Sequence, residues 1–218
     1  AAIVHKDADF NLAINKLLVG GFAYSGQVCI HTQRIFVHES LYNRFESEFV
    51  KLATSLKTGN PLEESTQFSV MIDEKNAKRV ETWLEEAVNQ GAKILTGGKR
   101  NDMFIEPTIV KNVKRGMKIY DEEVFGPVVC IQSYSNIDEA IKLVNDSRFG
   151  LQAALFTDSN SVMEQCYNKI EVGALIVNDS TTFRVDQMPY GGVKDSGFGR
   201  EGVKYAMMDY LEPKLMVF

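Results

Sequence analysis

The sequence predicts an α/β fold, a largely parallel sheet flanked by helices, and three observations carry that expectation. Short aliphatic and β-branched runs alternate with amphipathic stretches of about a dozen residues, the pattern of strand and helix units whose helices cover a sheet. Hydrophobic residues make up 44% of the 218, enough for one large domain or two small ones with a core of their own. Charged residues make up 24% and Pro and Gly stand at ordinary levels, which sets aside disorder, collagen and a simple coiled coil.

Taken in order, AAIV at the start reads as a strand interior, so the chain is expected to begin inside a larger protein. Asp7 and Asp9 are candidate caps for a helix carrying Phe10, Ala13, Ile14, Leu17 and Leu18 at helical spacing. That helix runs into GGFAYSGQVC, where Gly20, Gly21 and Gly26 loosen the backbone ahead of Cys29. RIFVH, Arg34 to His38, alternates as a strand. Ser40 is then expected to cap a helix with the stripe Leu41, Phe45, Phe49, Leu52 and Leu56, stopped by Gly59-Asn60-Pro61.

Lys75 to Asn89 reads as a helix with Val80, Leu84, Ala87 and Val88 on one face, closed by Gly91 before the strand AKILTGG. PTIV and VVCIQSY read as strands, and Ile137 to Asn145 as a helix starting at Asn136. Ala153 to Thr157 and Ala174 to Asn178 are strands around a helix near Ser161 to Ile170. A Gly-rich loop, one helix and a terminal strand KLMVF close the chain. The expected division is 1–195 as the main domain and 196–218 as a C-terminal helix and strand.

The net charge of −5 comes from 29 acidic and 24 basic residues spread along the sequence, so no basic footprint points to nucleic acid. No apolar run reaches the ~18 residues of a membrane span, and no charged-then-apolar leader precedes a small-residue cleavage site, so membrane spans and a signal peptide are not expected. Cys29, Cys130 and Cys166 lie far apart without a C-x-x-C, which argues against a zinc knuckle or disulfide framework and for a reducing, cytoplasmic setting. His5, His31 and His38 have no metal-ligand spacing and are expected at the surface or at strand edges; no metal is expected.

Three segments could carry chemistry. Cys29, in GQVCIHTQR, sits in a polar, Gly-preceded loop where a thiol is reachable and backbone amides can face the atom under attack. A cysteine is also commonly a small buried hydrophobe, and Cys130 in a strand and Cys166 in a helix fit that description. DEEVFGPV, Asp121 to Val128, places acids on a turn fixed by Pro127; such an acid can accept hydrogen bonds from a ligand diol, although a solvated acidic turn is the simpler local reading. MPYGGVKDSGFGREG, Met188 to Gly202, contains a formal dinucleotide fingerprint at Gly197 to Gly202. It is rejected, because a polar loop precedes it and too little chain follows it. Those glycines are expected to shape a loop packed closely on neighbouring backbone.

The order of GQVC at 26–29, EEVFGPV at 122–128 and PYGGVKDSGFGREG at 189–202 resembles the NAD(P)-dependent aldehyde dehydrogenase superfamily over essentially the whole chain. The resemblance implies a catalytic-domain fold without the N-terminal Rossmann half, and NAD or NADP as the cofactor of the intact protein. It implies that Cys29 is the nucleophile, passing through a thiohemiacetal and a thioester, with its own N–H as an oxyanion donor. Glu123 matches the acid that holds the nicotinamide ribose, and Phe125 the aromatic beside the nicotinamide. Val28 and Ile30 flank the nucleophile and are expected to line the substrate pocket, and Tyr190 matches an aromatic at its inner mouth.

Arg184 departs from the aromatic many members carry six residues before that position. TTFRVDQMPYGG is similar to the branch acting on lactaldehyde, phosphonoacetaldehyde and sulfoacetaldehyde. A guanidinium there can clamp an anionic tail, or it can pair with a neighbouring acid such as Asp186; both readings stand. The resemblance implies a small aldehyde substrate, lactaldehyde-like or anionic, and a homo-oligomer, dimer or tetramer. The general base and second oxyanion donor belong to the family's N-terminal portion, so this chain alone is expected to turn over negligibly as a dehydrogenase. The alternatives are a coenzyme A-acylating enzyme, or a silent module acting in assembly through KLMVF.

Overall fold

A computed structural model describes all 218 residues, and the expected α/β architecture is what it contains. In chain order the elements are β1 (Ala2–Val4), α1 (Phe10–Phe22), β2 (Arg34–His38), α2 (Glu39–Thr54), α3 (Glu74–Asn89), β3 (Lys93–Thr96), β4 (Arg100–Asn101), β5 (Phe104–Ile105) and β6 (Thr108–Lys111). There follow α4 (Lys118–Asp121), β7 (Val128–Tyr134), α5 (Ile137–Asn145), β8 (Phe149–Gly150), β9 (Gln152–Phe156), α6 (Asn160–Lys169), β10 (Ala174–Val177), β11 (Val193–Lys194) and α7 (Val203–Asp209). Seven strands form the main sheet in the order β10-β9-β1-β2-β7-β6-β3. All neighbours are parallel except β3, which runs antiparallel to β6 at the edge.

The parallel centre explains why the middle strands are apolar throughout: both faces are covered by helices. Odd and even residues of β7 part accordingly. Val129 and Ile131 join α1 and α2 in one core with Phe45 and Phe49, whose rings stack at 5.0 Å. Val128 and Cys130 face α3 and α4 on the other side, and Tyr134 on that same face meets α5 and α6.

Capping follows the sequence closely. Asp9 accepts from the Leu12 N–H at 3.0 Å, Asn136 from Glu139 at 3.1 Å, and Ser159 from Val162 at 3.4 Å, each satisfying a free donor of a first turn. Asp7 instead accepts the Thr157 hydroxyl at 2.7 Å. Ser40 is not the cap of α2: the helix already includes Glu39, and the His38 ring nitrogen accepts from the Ser40 N–H. The helix also stops at Thr54, ahead of the Gly59-Asn60-Pro61 breaker.

The terminal segment KLMVF is not a strand here; residues 211–218 are exposed and carry no regular element. The segment pairs with no strand of this chain. No helix is long and apolar enough to cross a membrane.

Candidate active site

Helix α1 returns along the sheet and delivers residues 23–33 to the amino ends of the strands. The turn there is tight: Tyr24, Ser25 and Gly26 are consecutive left-handed residues with φ of 53°, 56° and 70°. Ser25 donates to the Ser69 carbonyl at 2.8 Å and Gln27 accepts from the Ile72 N–H at 2.8 Å, which ties the turn to the segment beneath it. Gly20 and Gly21 are packing glycines. A Cβ on Gly20 would stand 2.5 Å from the Thr32 hydroxyl, and one on Gly21 2.7 Å from a Val129 methyl. Thr32 in turn bonds Thr181 at 2.6 Å, whose hydroxyl donates to the Ile30 carbonyl at 2.6 Å. The backbone after Cys29 is therefore fixed, while Cys29 itself is exposed.

The acidic turn lies directly against this loop. A Cβ on Gly26 would overlap the Gly126 carbonyl oxygen and stand 3.1 Å from the Pro127 nitrogen, so the two segments touch through backbone alone. Phe125 is held at φ 46°, a strained conformation for an aromatic residue, and 40% of it remains exposed. Val28, Cys29, Ile30, Glu123 and Phe125 all line one cavity of about 290 Å³. The carboxylate pairing in the turn falls to Glu122, which accepts from Arg148 at 2.6 Å; no ion pair engages Glu123. Glu123 is exposed overall, yet desolvation pushes its carboxyl above the usual carboxylate range, and the Arg79 guanidinium pulls it partly back.

Tyr190 and Arg184 lie outside that cavity lining, and Tyr190 reaches the sulfur from elsewhere. The Tyr190 hydroxyl is 2.8 Å from Cys29 Sγ. Burial first, and this hydrogen bond second, hold the phenol above its usual pKa. Arg184 stacks on the Tyr190 ring, 4.3 Å to the centroid, and its Nη2 stands 3.7 Å from Glu201 Oε2. The acid beside Arg184 is thus Glu201 rather than Asp186. With 41% and 73% of the two side chains exposed, that pair is weak.

The rest of the glycine-rich segment is split in function. Gly173 and Gly191 meet backbone to backbone, and a Cβ on Gly192 would run into Ser196. Gly197 and Gly199 have open space around their own Cβ positions, with positive φ of 111° and 73°, whereas a Cβ on Gly202 would stand 3.1 Å from the Met188 carbonyl oxygen, so close packing on neighbouring backbone holds at Gly202 as well as at Gly191 and Gly192. His5 and His31 also differ from expectation, whereas His38 is partly exposed at the end of β2. His5 is buried and bonds the Tyr134 hydroxyl at 2.9 Å. Burial pushes the His31 imidazole down to about 4, with its bond to the Gly21 carbonyl at 2.9 Å working the other way. No local pattern marks them, since the rings are buried by strands and helices distant in sequence.

Two residues escaped the sequence reading. Gln33 bridges the thiol loop to the acidic turn, and Arg79 donates to the Val124 carbonyl at 2.7 Å while its guanidinium lies 4.6 Å over Trp83. A polar residue at a strand entrance and an arginine on an amphipathic helix give no signal of their own.

Comparison with known proteins places this arrangement. The sequence profile described as the aldehyde dehydrogenase family matches residues 1–216. The 3-sulfolactaldehyde dehydrogenase of Priestia aryabhattai is 49% identical over 217 residues, covering 100% of this chain and 46% of that protein. Among solved structures, aldehyde dehydrogenase 21 from Physcomitrella patens, in complex with the reaction product succinate, superposes with a TM-score of 0.95 at 47% identity, over 97% of this chain and 44% of that one. Glyceraldehyde-3-phosphate dehydrogenase from Methanocaldococcus jannaschii, complexed with NADP, gives 0.90 at 44% identity, over 94% and 45%. The chain thus spans a little under half the length of the proteins it matches.

Proposed function

The chain belongs to the aldehyde dehydrogenase family, and from that premise we propose that it carries the thiol nucleophile of an enzyme oxidising a short anionic or hydroxylated aldehyde to its carboxylate with NAD or NADP. The observation that carries this reading is the convergence on one sulfur: Cys29 Sγ opens to the cavity of Glu123 and Phe125 and also touches the phenol that supports Arg184.

In this reading Cys29 attacks the aldehyde carbon to form a thiohemiacetal, and loss of hydride leaves a thioester on the sulfur that water hydrolyses. The Tyr190 hydroxyl donates to the sulfur before attack, and the rigid Ile30 to Thr32 backbone keeps the loop N–H groups aimed at the developing oxyanion. The cofactor fits the remaining residues: Glu123, without an ion pair and facing the cavity, accepts from a ribose diol, and Phe125 offers an exposed ring for a planar base. When bound, the nicotinamide supplies hydride acceptance. Arg184, weakly paired with Glu201 and stacked on Tyr190, binds the substrate's anionic tail. The sulfonate, carboxylate and phosphate groups implied by the names of the three relatives above favour an anionic tail for this one. Residues 196–218 are assigned to assembly in a dimer or tetramer, on the strength of the exposed Met207, Met208, Tyr210 and Leu211; gel filtration of a chain ended before Leu211 is expected to give a smaller species.

The test is kcat/KM of the full-length protein on sulfonated, carboxylated and neutral aldehydes. Cys29→Ala is expected to abolish NAD(P)H formation, and Arg184→Ala to lose about tenfold or more on anionic aldehydes only, the scale of one charge-assisted hydrogen bond. Equal losses on neutral and anionic aldehydes remove the clamp. A requirement for coenzyme A replaces hydrolysis by acyl transfer.

A further inference from the structure

We propose that Gln33 is a positioning residue that sets the Glu123 carboxylate against the thiol loop, an inference that rests on the reading of Glu123 as the ribose acceptor. The Gln33 amide behaves as an extra peptide group inserted into the acidic turn. Its Nε2 donates to the Ile119 carbonyl at 2.9 Å and to the Glu122 carbonyl at 2.8 Å, and its Oε1 accepts from the Val124 N–H at 2.9 Å. Only one orientation of the amide satisfies these partners, because the reverse would set its NH₂ against an N–H donor.

The bonds fall on the carbonyl just before Glu123 and on the N–H just after it. Arg79 then takes the Val124 carbonyl from the opposite side at 2.7 Å, so the backbone that carries Glu123 is gripped from α3 and from the entrance of β2. The grip on the β2 side is itself anchored: the Gln33 N–H donates to the His31 carbonyl at 3.0 Å, and the Gln33 carbonyl accepts from the Cys130 N–H at 2.7 Å. One side chain therefore links the loop holding Cys29 to the turn holding Glu123 and Phe125. The Glu123 side chain has no ion pair of its own to fix it. Its direction depends on the backbone beneath it, and that backbone depends on Gln33.

In the full-length protein, Gln33→Leu removes the donors and the acceptor at similar volume. The expected result is a rise of about tenfold or more in KM for NAD(P)⁺, the scale of a displaced binding group, with iodoacetamide alkylation of Cys29 held within about twofold of wild type. Gln33→Glu keeps an acceptor for Val124 but turns a carboxylate toward the Ile119 and Glu122 carbonyls, so its KM is expected between the two. Should the leucine variant fail to fold, the glutamate variant decides, and a wild-type KM there overturns the proposal. Parallel loss of kcat, alkylation rate and Tm without a selective rise in KM marks a merely structural residue and also overturns it. Glu123→Gln, measured alongside, separates the two levels. If it leaves the cofactor KM unchanged, the underlying reading falls and this inference with it; if it weakens the cofactor while Gln33→Leu does not, only the inference falls.

Discussion

Gly26→Ala is the sharpest perturbation of the site, because it acts where two loops touch through backbone. Alanine at φ 70° costs about 1–2 kcal/mol in the left-handed region. Its methyl would also lie 2.5 Å from the Gly126 carbonyl carbon and 3.1 Å from the Pro127 nitrogen, where ordinary contact begins at 3.4 Å. Neither neighbour is the end of a flexible side chain, so relief comes only from separating the thiol loop from the acidic turn by about 1 Å, a displacement on the scale that lowers an enzymatic rate about a hundredfold. Strain and overpacking together put the stability loss at about 2–5 kcal/mol. Gly91→Ala is the matched control: φ is 102°, yet nothing lies within 4 Å of the added methyl. The assay is kcat/KM and Tm of both variants in the full-length protein. Gly26→Ala is expected to lose about two orders of magnitude in kcat/KM and Gly91→Ala almost none. Wild-type activity in Gly26→Ala, or equal activity in the two, refutes the argument that this contact sets the site.

Iodoacetamide followed by peptide mapping is expected to modify Cys29 first. Cys130 and Cys166 are buried, and desolvation pushes their thiols up to about 12 and about 11, so they resist until the protein unfolds. Equal labelling of all three in the folded protein contradicts an accessible nucleophile and favours the assembly-module alternative. His31 governs part of the acid response. Its folded pKa of about 4 lies below the usual 6.5, so the unfolded chain binds a proton the fold refuses. Stability is therefore full above the upper value and declines as pH falls between the two, by at most about 1.4 kcal/mol per pH unit from this residue. Urea midpoints at pH 7 and pH 5 are expected to differ less in His31→Leu than in wild type; an unchanged difference assigns the acid limb to other groups.

What was legible in the sequence is what local chemistry determines. Asp9 and Asn136 cap the helices they were expected to cap, and the apolar periods of α1, α2 and α3 place Leu17, Phe45, Phe49 and Leu84 in the cores. Cys29 announced itself through its Gly-preceded loop. The contacts that local pattern does not show share a cause. The Gln33 clamp on Val124 spans 91 residues, Tyr190 meets Cys29 across 161, and Arg184 finds Glu201 only because Tyr190 and Glu201 pair as a short antiparallel bridge. DEEVFGPV looked like a solvated turn because the backbone it abuts, at Gly26, is nowhere near it in the sequence. His38 displaced Ser40 as the cap of α2 because an imidazole nitrogen can accept the same N–H, a competition that residue preferences do not resolve.

One topological fact joins these pieces. Parallel α/β sheets usually offer their crevice at the carboxyl ends of the strands. In this chain the carboxyl ends of β1, β2 and β7 are closed by His5, His38 and Tyr134, whose rings pack edge to face and stacked at 5.4–6.3 Å. The candidate site lies at the amino ends instead, because its residues come from the loops that enter β2 and β7. Those two strands are neighbours, and their register pairs Arg34 with Cys130. Cys29 and Phe125 precede those paired positions, and both line the one cavity beyond this end of the sheet. Gly26 lets the two entering loops touch and Gln33 fastens them, which leaves Glu123 and Cys29 on a common wall without any contact between their side chains being required. A register slip of one residue between β2 and β7 would shift the two loops against each other and turn every side chain of a strand to the opposite face, exchanging Ile131 for Cys130 in the core under α1 and α2. The packing that stabilises the sheet and the geometry proposed for catalysis are therefore set by the same pairing.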